Sequence, residues 1–227
     1  MAGRAVLLAG ATGLVGGRVL ARWLADENGP LVIAPVRRAL AIEHPRLRAL
    51  PGHWDADSVA GALAEAGVPL AAYACCLGTT IRQAGSREAF LAVDRDLVLA
   101  LGDIARSLGA RQALLVSSVG ASAQSGNFYL RVKGEAERGL AAQGFERVDC
   151  LRPGLLLGER AERRFAEGLG QKLAPLANPL MRGPLRRYRA IRADTVAGAL
   201  VALAGRDEGG RFVHEYGALA ALAAGEA

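Results

Sequence analysis

The 227-residue chain has few cysteines and histidines, and these shortages exclude disulfide-built and metal-built folds. Its three cysteines are an odd number without the spacing of a metal site, so we expect no disulfide framework and, as the default, a cytoplasmic location. Two of them, Cys75 and Cys76, are adjacent, and in a strand they would point to opposite faces. The three histidines share no spacing with each other or with the cysteines. No metal ion is therefore expected.

Long hydrophobic runs are also missing. No stretch approaches the roughly 20 uninterrupted apolar residues that cross a bilayer, so we expect no membrane span. Hydrophobic residues nevertheless make up 52% of the chain and charged residues 22%, which is typical of a globular domain with a substantial core.

Acidic residues are fewer than basic ones, and the net charge is +6. The basic residues are spread along the chain apart from one cluster, Arg182, Arg186, Arg187, Arg189 and Arg192. We interpret this cluster as a solvated loop face, with an anionic substrate or cofactor contact as the alternative. Aromatic residues are only 5% of the chain and do not interleave with the arginines, so a nucleic-acid partner is not expected.

Glycine is abundant, and three glycines are placed at one informative site. Gly10, Gly13 and Gly16 have G-x-x-G-x-x-G spacing directly after the apolar run Ala5 to Ala9 and before a helical pattern. Glycines allow a sharp turn and close approach of the backbone to a phosphate, while the N–H groups of the following helix face the anion. The stretch predicts a dinucleotide pyrophosphate site. The alternative is an ordinary glycine-rich turn.

Apolar runs and helical patterns alternate along most of the chain, which predicts an α/β, Rossmann-like, doubly wound parallel sheet with helices on both faces. The predicted strands are Ala5 to Ala9, Leu31 to Val36, Leu47 to Leu50, Ala71 to Leu77, Ala113 to Ser117 and Val148 to Leu151. The predicted helices are Leu14 to Ala25, Ser58 to Ala66, Glu88 to Leu108, Phe128 to Ala142 and Thr195 to Ala204. We expect a single NAD(P)-binding domain over residues 1–227, with 158–190 as a partly irregular, substrate-covering segment.

The end of the second predicted strand indicates which dinucleotide would bind. About 20 residues beyond the last loop glycine, an acidic residue favours NAD(H) and an arginine favours NADP(H). Here Arg37 and Arg38 follow the strand, and guanidinium groups suit the added 2′-phosphate. The sequence therefore favours NADP(H), unless both arginines are merely solvent-exposed. Further along, Asp55 could accept from the adenine amino group or cap a helix, and Gly78 would let the chain pass close to the adenosine.

Tyr129 and Lys133 carry the predicted chemistry. Their spacing of four places them on one face of a helix, and an ammonium group near a phenol favours the phenolate. Tyr129 could then exchange a proton with a substrate oxygen, while Ser118, at the end of a predicted strand, donates a hydrogen bond to the same atom. Lys133 would also hold the nicotinamide ribose.

Together these motifs resemble the atypical or extended branch of the short-chain dehydrogenase/reductase superfamily, and in particular its Tat-interacting-protein oxidoreductase family. The resemblance covers roughly residues 3–204 and rests on stretches in this order: Cys76 to Thr80, Val93 to Asp96, Ser117-Ser118, Tyr129 to Glu135 and Arg152 to Leu157.

The resemblance implies a set of residue roles. The pyrophosphate would lie against Thr12, Gly13, Leu14 and Val15, the 2′-phosphate against Arg37 and Arg38, the adenosine against Leu77 and Gly78, and the nicotinamide near Pro153 and Leu156, with Arg164 as a further cofactor contact. Tyr129 and Lys133 would be the catalytic pair. In one departure, Asp94 stands where many members have an asparagine that takes part in proton relay.

These observations predict an NADP(H)-dependent oxidoreductase acting on a small carbonyl or alcohol. One alternative is an NADPH-binding, redox-sensing regulator with little turnover, which would act on a protein partner. A third is a nucleotide-sugar epimerase or dehydratase, which the short chain disfavours. The superfamily often forms homodimers, but no heptad or strand-edge signature shows one here.

Overall fold

The computed structural model describes residues 1–52, 54–158 and 181–226, and its centre is a seven-stranded parallel sheet. The strand order is β3-β2-β1-β4-β5-β6-β9. The strands are β1 (Ala5–Ala9), β2 (Leu31–Val36), β3 (Leu47–Pro51), β4 (Leu70–Cys75), β5 (Gln112–Val116), β6 (Arg147–Leu151) and β9 (Gly210–His214). A second, two-stranded parallel sheet joins β7 (Leu156–Leu157) to β8 (Ile191–Arg192). The predicted doubly wound α/β sheet is confirmed.

Helices connect the strands. They are α1 (Gly16–Ala25), α2 (Ala56–Ala66), α3 (Ile81–Ala84), α4 (Arg87–Leu91), α5 (Leu97–Ser107), α6 (Phe128–Ala142), α7 (Ala193–Leu203) and α8 (Tyr216–Ala224), with a π-helix at Ala92–Asp96 and a 3₁₀ helix at Gly183–Tyr188. Among the described residues, no helix is long and apolar enough to span a bilayer.

Two hydrophobic layers cover the faces of the sheet. The central strand β1 is wholly buried, with Val6 and Leu8 in the layer of α1, α7 and α8, and Leu7 in the layer of α2, α5 and α6. Cys75 and Cys76 lie on opposite faces, as predicted, and are free thiols. Burial on both faces explains why the central strands are continuous apolar runs in the sequence.

The predicted elements have the right positions, with one revision and several omissions. The single helix predicted over Glu88 to Leu108 is instead α4, the π-helix and α5 in succession. The edge strand β9 was not predicted because its side chains are largely exposed and lack an apolar run. Also missed were α3, α8, the 3₁₀ helix and the short pair β7 and β8. Within the predicted covering segment 158–190, residues 159–180 lie outside the described part of the chain.

Candidate active site

The strand order reverses between β1 and β4, and the loops that leave these two strands touch. Gly10 follows β1 with a φ of 81°, and a Cβ on it would lie 2.7 Å from the Cys76 carbonyl carbon. Only glycine fits this contact. In open α/β sheets, ligands bind in the crevice beyond the carboxyl ends of the strands at such a reversal. The glycine stretch therefore lies where the fold provides a ligand site.

The loop itself has the shape of an anion cradle. The Gly13 N–H donates to the Gly10 carbonyl at 2.8 Å, and a Cβ on Gly16 would come within 2.1 Å of that carbonyl oxygen. Helix α1 begins at Gly16, and no side chain in the described chain caps its N-terminus at Val15. The positive end of the helix dipole favours a negatively charged group at this position. The backbone, together with Thr12 and Leu14 in the turn, thus fits a dinucleotide pyrophosphate.

Some of the residues predicted to contact the adenosine end of the dinucleotide follow β2 and precede α2. Arg37 and Arg38 follow β2 directly and are exposed. Asp55 is the N-cap of α2, where its carboxylate accepts from the Ser58 N–H at 2.8 Å and from the Ser58 hydroxyl at 3.0 Å. The geometry thus gives Asp55 the capping role, and its adenine contact stays a prediction.

The loop after β4 reaches the predicted catalytic lysine. A Cβ on Gly78 would lie 3.7 Å from the Lys133 ammonium nitrogen, so the two are in neighbouring positions. Leu77 is half-buried in the same loop and packs against the hydrophobic layer of α5 and α6. The Thr79 N–H donates to Asp94 Oδ2 at 3.0 Å. The structure therefore brings the predicted adenosine loop and Lys133 together.

Tyr129 and Lys133 lie one turn apart on α6, as predicted. The helix begins after Asn127, whose side chain accepts from the Leu130 N–H at 3.2 Å. The Tyr129 ring packs against Phe90 of α4, with a distance of 5.8 Å between ring centroids. Lys133 is buried, with a side chain only 4% exposed. Such burial of a lysine is rare without a charged partner.

Asp94 is that partner. Its Oδ1 lies 2.8 Å from Lys133 Nζ, and its side chain is fully buried. Burial alone would lower the pKa of Lys133, but Asp94 first, then Tyr129 and Cys75, outweigh it and raise the pKa above its usual value. The lysine is consequently a fixed positive charge next to Tyr129.

Ser118 lies in the turn between β5 and α6, and main-chain hydrogen bonds join this turn to its neighbours. The Val119 N–H donates to the Pro153 carbonyl at 3.0 Å, and the Ser122 N–H donates to the Leu130 carbonyl at 3.1 Å. The turn, the chain after β6 and the first turn of α6 are thereby held side by side. The Ser118 hydroxyl is 3.5 Å from the Val119 carbonyl oxygen, and within the described chain it makes no hydrogen bond to Tyr129.

The chain after β6 forms one wall of this region. Pro153 is buried, and Leu156 is half-buried in β7. A Cβ on Gly154 would lie 2.5 Å from the Arg189 carbonyl oxygen, so the segment before β8 is pressed against this wall. Arg164, the further predicted cofactor contact, lies outside the described residues.

The arginines of the segment before β8 pack against the first residues of α8. Arg186 and Arg189 lie over the Tyr216 ring at 6.0 and 5.7 Å from its centroid. Arg187 is 3.9 Å from the Glu215 carboxylate. Arg186 and Arg187 are exposed, whereas Arg189 and Tyr216 are half-buried, so the solvated face suggested by the sequence stays a prediction. In the described ranges, no group of three or more His, Cys, Asp or Glu side chains could hold a metal ion.

Sequence reasoning noticed Asp94 only as a departure and missed its contacts. One signal was present: Asp94 is four residues from both Phe90 and Val98, which are buried on the core face of the helical pattern. An acidic residue at such a position needs a buried cationic partner. The π-helix that presents it has no comparable signature in the sequence.

A Rossmann-like sheet, a glycine cradle at its switch point and a Tyr-x-x-x-Lys helix define the class: the chain is an atypical short-chain dehydrogenase/reductase. No protein-family model matches it. It is 35% identical over 173 residues to the mitochondrial protein fmp52 of Emericella nidulans, covering 74% of each chain. The chain therefore belongs to the Fmp52 family.

Two further comparisons agree with this. Protein HTATIP2 of Rattus norvegicus is 45% identical over 98 residues, which are 43% of this chain and 40% of that protein. MoeE5, solved in complex with UDP-glucose and NAD, has a TM-score of 0.63 at 18% identity, over 92% of this chain and 74% of MoeE5. The first supports the resemblance seen in the sequence, and the second shows the fold.

The comparisons contradict the expected cytoplasmic location. The relatives from Emericella nidulans and Aspergillus niger are both named as mitochondrial proteins. The expectation was wrong because unpaired cysteines indicate only a reducing environment, and the cytoplasm is not the only such compartment.

Proposed function

We propose that this protein is an NADP(H)-dependent oxidoreductase that reduces or oxidises a small carbonyl or alcohol. One observation carries the proposal. A buried Lys133, paired with Asp94, lies one helical turn from Tyr129 and beside Gly78, at the edge of the sheet where the glycine cradle opens. A fixed cation next to a phenol at a ligand crevice suits proton transfer to or from a substrate oxygen.

The nicotinamide group, when bound, would supply or accept the hydride. Tyr129 would give or take the proton at the substrate oxygen, and Ser118 would donate a hydrogen bond to that oxygen. Lys133 would stabilise the ionised form of Tyr129 and bind the nicotinamide ribose. The remaining contacts are those predicted from the sequence pattern and the resemblance: Gly10, Thr12, Gly13, Leu14, Val15 and Gly16 at the pyrophosphate, Arg37 and Arg38 at the 2′-phosphate, Asp55, Leu77 and Gly78 at the adenosine, Pro153 and Leu156 toward the nicotinamide, and Arg164 as a further cofactor contact.

The organisation of the chain is part of the proposal. Residues 1–227 would form a single NAD(P)-binding domain, with 158–190 covering the substrate. The described residues of the covering segment support this organisation, since the stretch before β8 contacts Gly154 beyond the carboxyl end of β6. The partner would be a small molecule, and the resemblance adds a second copy of the chain or another protein as candidate partners.

The test of the cofactor assignment is a titration with NADPH and NADH, followed by the fluorescence of Trp23 and Trp54 and of the nicotinamide. We expect tighter binding of NADPH than of NADH. Replacing Arg37 and Arg38 with alanine should weaken NADPH binding at least about tenfold, because each charge-assisted hydrogen bond is worth roughly 1.5–3 kcal/mol. NADH binding should change little.

A matched control removes the same charge from elsewhere on the surface. Arg4 and Arg138 are exposed, with Arg4 at the amino end of β1, and their double alanine variant should bind NADPH like the parent protein. The 2′-phosphate site would lie elsewhere if the Arg37/Arg38 variant bound NADPH as tightly as the parent protein does.

The nucleotide-sugar alternative is tested with the same fluorescence titration. MoeE5 was solved with UDP-glucose and NAD, so UDP-glucose is the appropriate probe. Saturable UDP-glucose binding that requires bound dinucleotide would favour an epimerase or dehydratase over the oxidoreductase proposed here.

A further inference from the structure

Asp94 uses its two carboxylate oxygens on two different elements. Oδ1 lies 2.8 Å from Lys133 Nζ on α6, and Oδ2 accepts from the Thr79 N–H of the loop after β4 at 3.0 Å. The carboxylate is completely buried and is presented by the π-helix between α4 and α5. Such π-helical turns occur frequently at functional sites.

The charge balance around Lys133 depends on this one carboxylate. The groups that face the ammonium are Asp94 from the π-helix, Tyr129 from α6 and Cys75 from β4. Burial raises the pKa of the Cys75 thiol, so Cys75 stays uncharged near neutral pH. Asp94 is therefore the carboxylate that compensates a buried cation, and a buried ammonium without compensation tends to lose its proton.

We propose that Asp94 is a positioning residue of this site, which neutralises Lys133 and joins it to the loop that follows β4. The inference deepens the proposed function, because Lys133 matters for turnover only if Tyr129 is the acid/base. The asparagine found in many superfamily members could replace one half of this role: its amide oxygen can accept from Thr79, but it carries no charge to compensate Lys133.

The chain allows a direct measurement of the lysine charge. It contains just two lysines, Lys133 and Lys172. Protein labelled with ¹³C at lysine Cε therefore gives two side-chain NMR signals, and the variant Lys172→Arg assigns them. The pH titration of the Lys133 signal is recorded without cofactor, so it does not depend on the proposed reaction.

We expect the Lys133 signal of the parent protein to titrate at or above about 10.4, the value of a free lysine. In Asp94→Asn the midpoint should move down by at least about one pH unit, since full burial can lower a lysine pKa by up to 3–5 units. The matched control is Asp96→Asn. Asp96 lies two residues away and its side chain is 55% exposed, paired with Arg95, so this control should leave Lys133 unchanged.

A second measurement connects the charge to the site. NADPH affinity of Asp94→Asn should fall at least about tenfold between pH 7 and the pH at which Lys133 has lost its proton, while the parent protein shows no such fall. If Asp94 served only to hold the fold, Asp94→Asn would weaken NADPH binding equally at every pH. That result would overturn the proposal.

The outcomes remain separable from those of the proposed function. An unchanged Lys133 midpoint in Asp94→Asn would refute the role of Asp94. Should this variant fail to fold, the parent protein decides alone, because a midpoint well below that of free lysine would mean that burial is not compensated. Absence of both NADPH and NADH binding by the parent protein would refute the oxidoreductase and leave the Lys133 titration valid.

Discussion

Tyr129 can lose its hydroxyl without losing its packing, because its ring rests on Phe90. Tyr129→Phe should therefore keep the fold and the NADPH affinity of the parent protein. Turnover should fall by roughly 10²–10⁴, the usual contribution of a positioned general acid or base. The measurement is NADPH oxidation with a panel of aldehydes and ketones, together with a cofactor titration.

The control for this substitution is Tyr216→Phe, which removes a hydroxyl from α8, away from Lys133. It should leave turnover unchanged. Full activity of Tyr129→Phe would remove Tyr129 from the acid/base role. Tight NADPH binding with no turnover by the parent protein on any carbonyl would favour the redox-sensing alternative.

Individual site residues were predictable where short spacing determines their placement. The four-residue spacing alone places Tyr129 and Lys133 on one helix face, and the structure agrees. The contacts of Lys133 with Asp94 and Gly78 were not predictable, since they join positions 39 and 55 residues apart in the sequence. Local patterns carry no information on such pairs.

At the scale of elements, the turn between β1 and α1 depends on the absence of a side chain at Gly16. A Cβ there would lie 2.1 Å from the Gly10 carbonyl oxygen, so Gly16→Ala must displace the cradle. We expect at least a tenfold loss of NADPH affinity and about 1–3 kcal/mol less stability, as for overpacked sites. Cofactor titration and urea unfolding measure the two effects.

Gly61→Ala is the matched control, because Gly61 lies in α2 with no atom within 4 Å of the added methyl group. This variant should bind NADPH normally and gain up to about 1 kcal/mol in stability, from the helix propensity of alanine. A Gly16→Ala variant with normal affinity would show that the dinucleotide does not use this turn.

The elements that sequence reasoning predicted are those whose burial leaves a pattern. Strands β1, β2, β4 and β5 are buried apolar runs, and α6 was predicted at Phe128–Ala142, as observed. The π-helix is invisible to such reasoning because one extra residue per turn does not disturb the apolar spacing enough to be detected. Strand order is likewise set by long-range packing and not by local sequence.

At the scale of the whole molecule, a buried polar cluster fastens β9 to the sheet. Asp149 accepts hydrogen bonds from Arg147 at 2.7 Å and from Gln112 at 2.8 Å, and His214 of β9 lies 2.9 Å away. Burial would raise the pKa of Asp149, but the hydrogen bonds to His214, Arg147 and Gln112 outweigh it and lower the pKa. The cluster adds side-chain contacts to the main-chain pairing of β9 with β6.

The lowered pKa of Asp149 sets the sign of an acid effect. A carboxylate with a lowered folded-state pKa stabilises the fold above its unfolded value, near 3.9, and that contribution is lost as the pH falls through the folded value. Asp149→Asn should lower the free energy of unfolding by on the order of 3 kcal/mol near pH 7, as when a buried pair is broken. Below pH 4 the variant should lose less further stability than the parent protein.

Thermal unfolding of both proteins between pH 2 and 7 measures this difference. Asp103→Asn is the control, because Asp103 is exposed on α5 and should alter neither stability nor its pH dependence. Parallel pH profiles for Asp149→Asn and the parent protein would contradict the role given to Asp149.

The turn after β5 is held to Pro153 and to Leu130 by main-chain N–H groups of Val119 and Ser122. Every residue except proline carries such a donor, so side chains around the substrate can be exchanged while Ser118 and the start of α6 keep their relative placement. Under the proposed function, substrate choice and proton transfer can therefore change separately in this scaffold. Under the same proposal, an engineer seeking a new substrate could vary Leu155 and Leu157 and leave Gly154, which has no room for a side chain, unchanged.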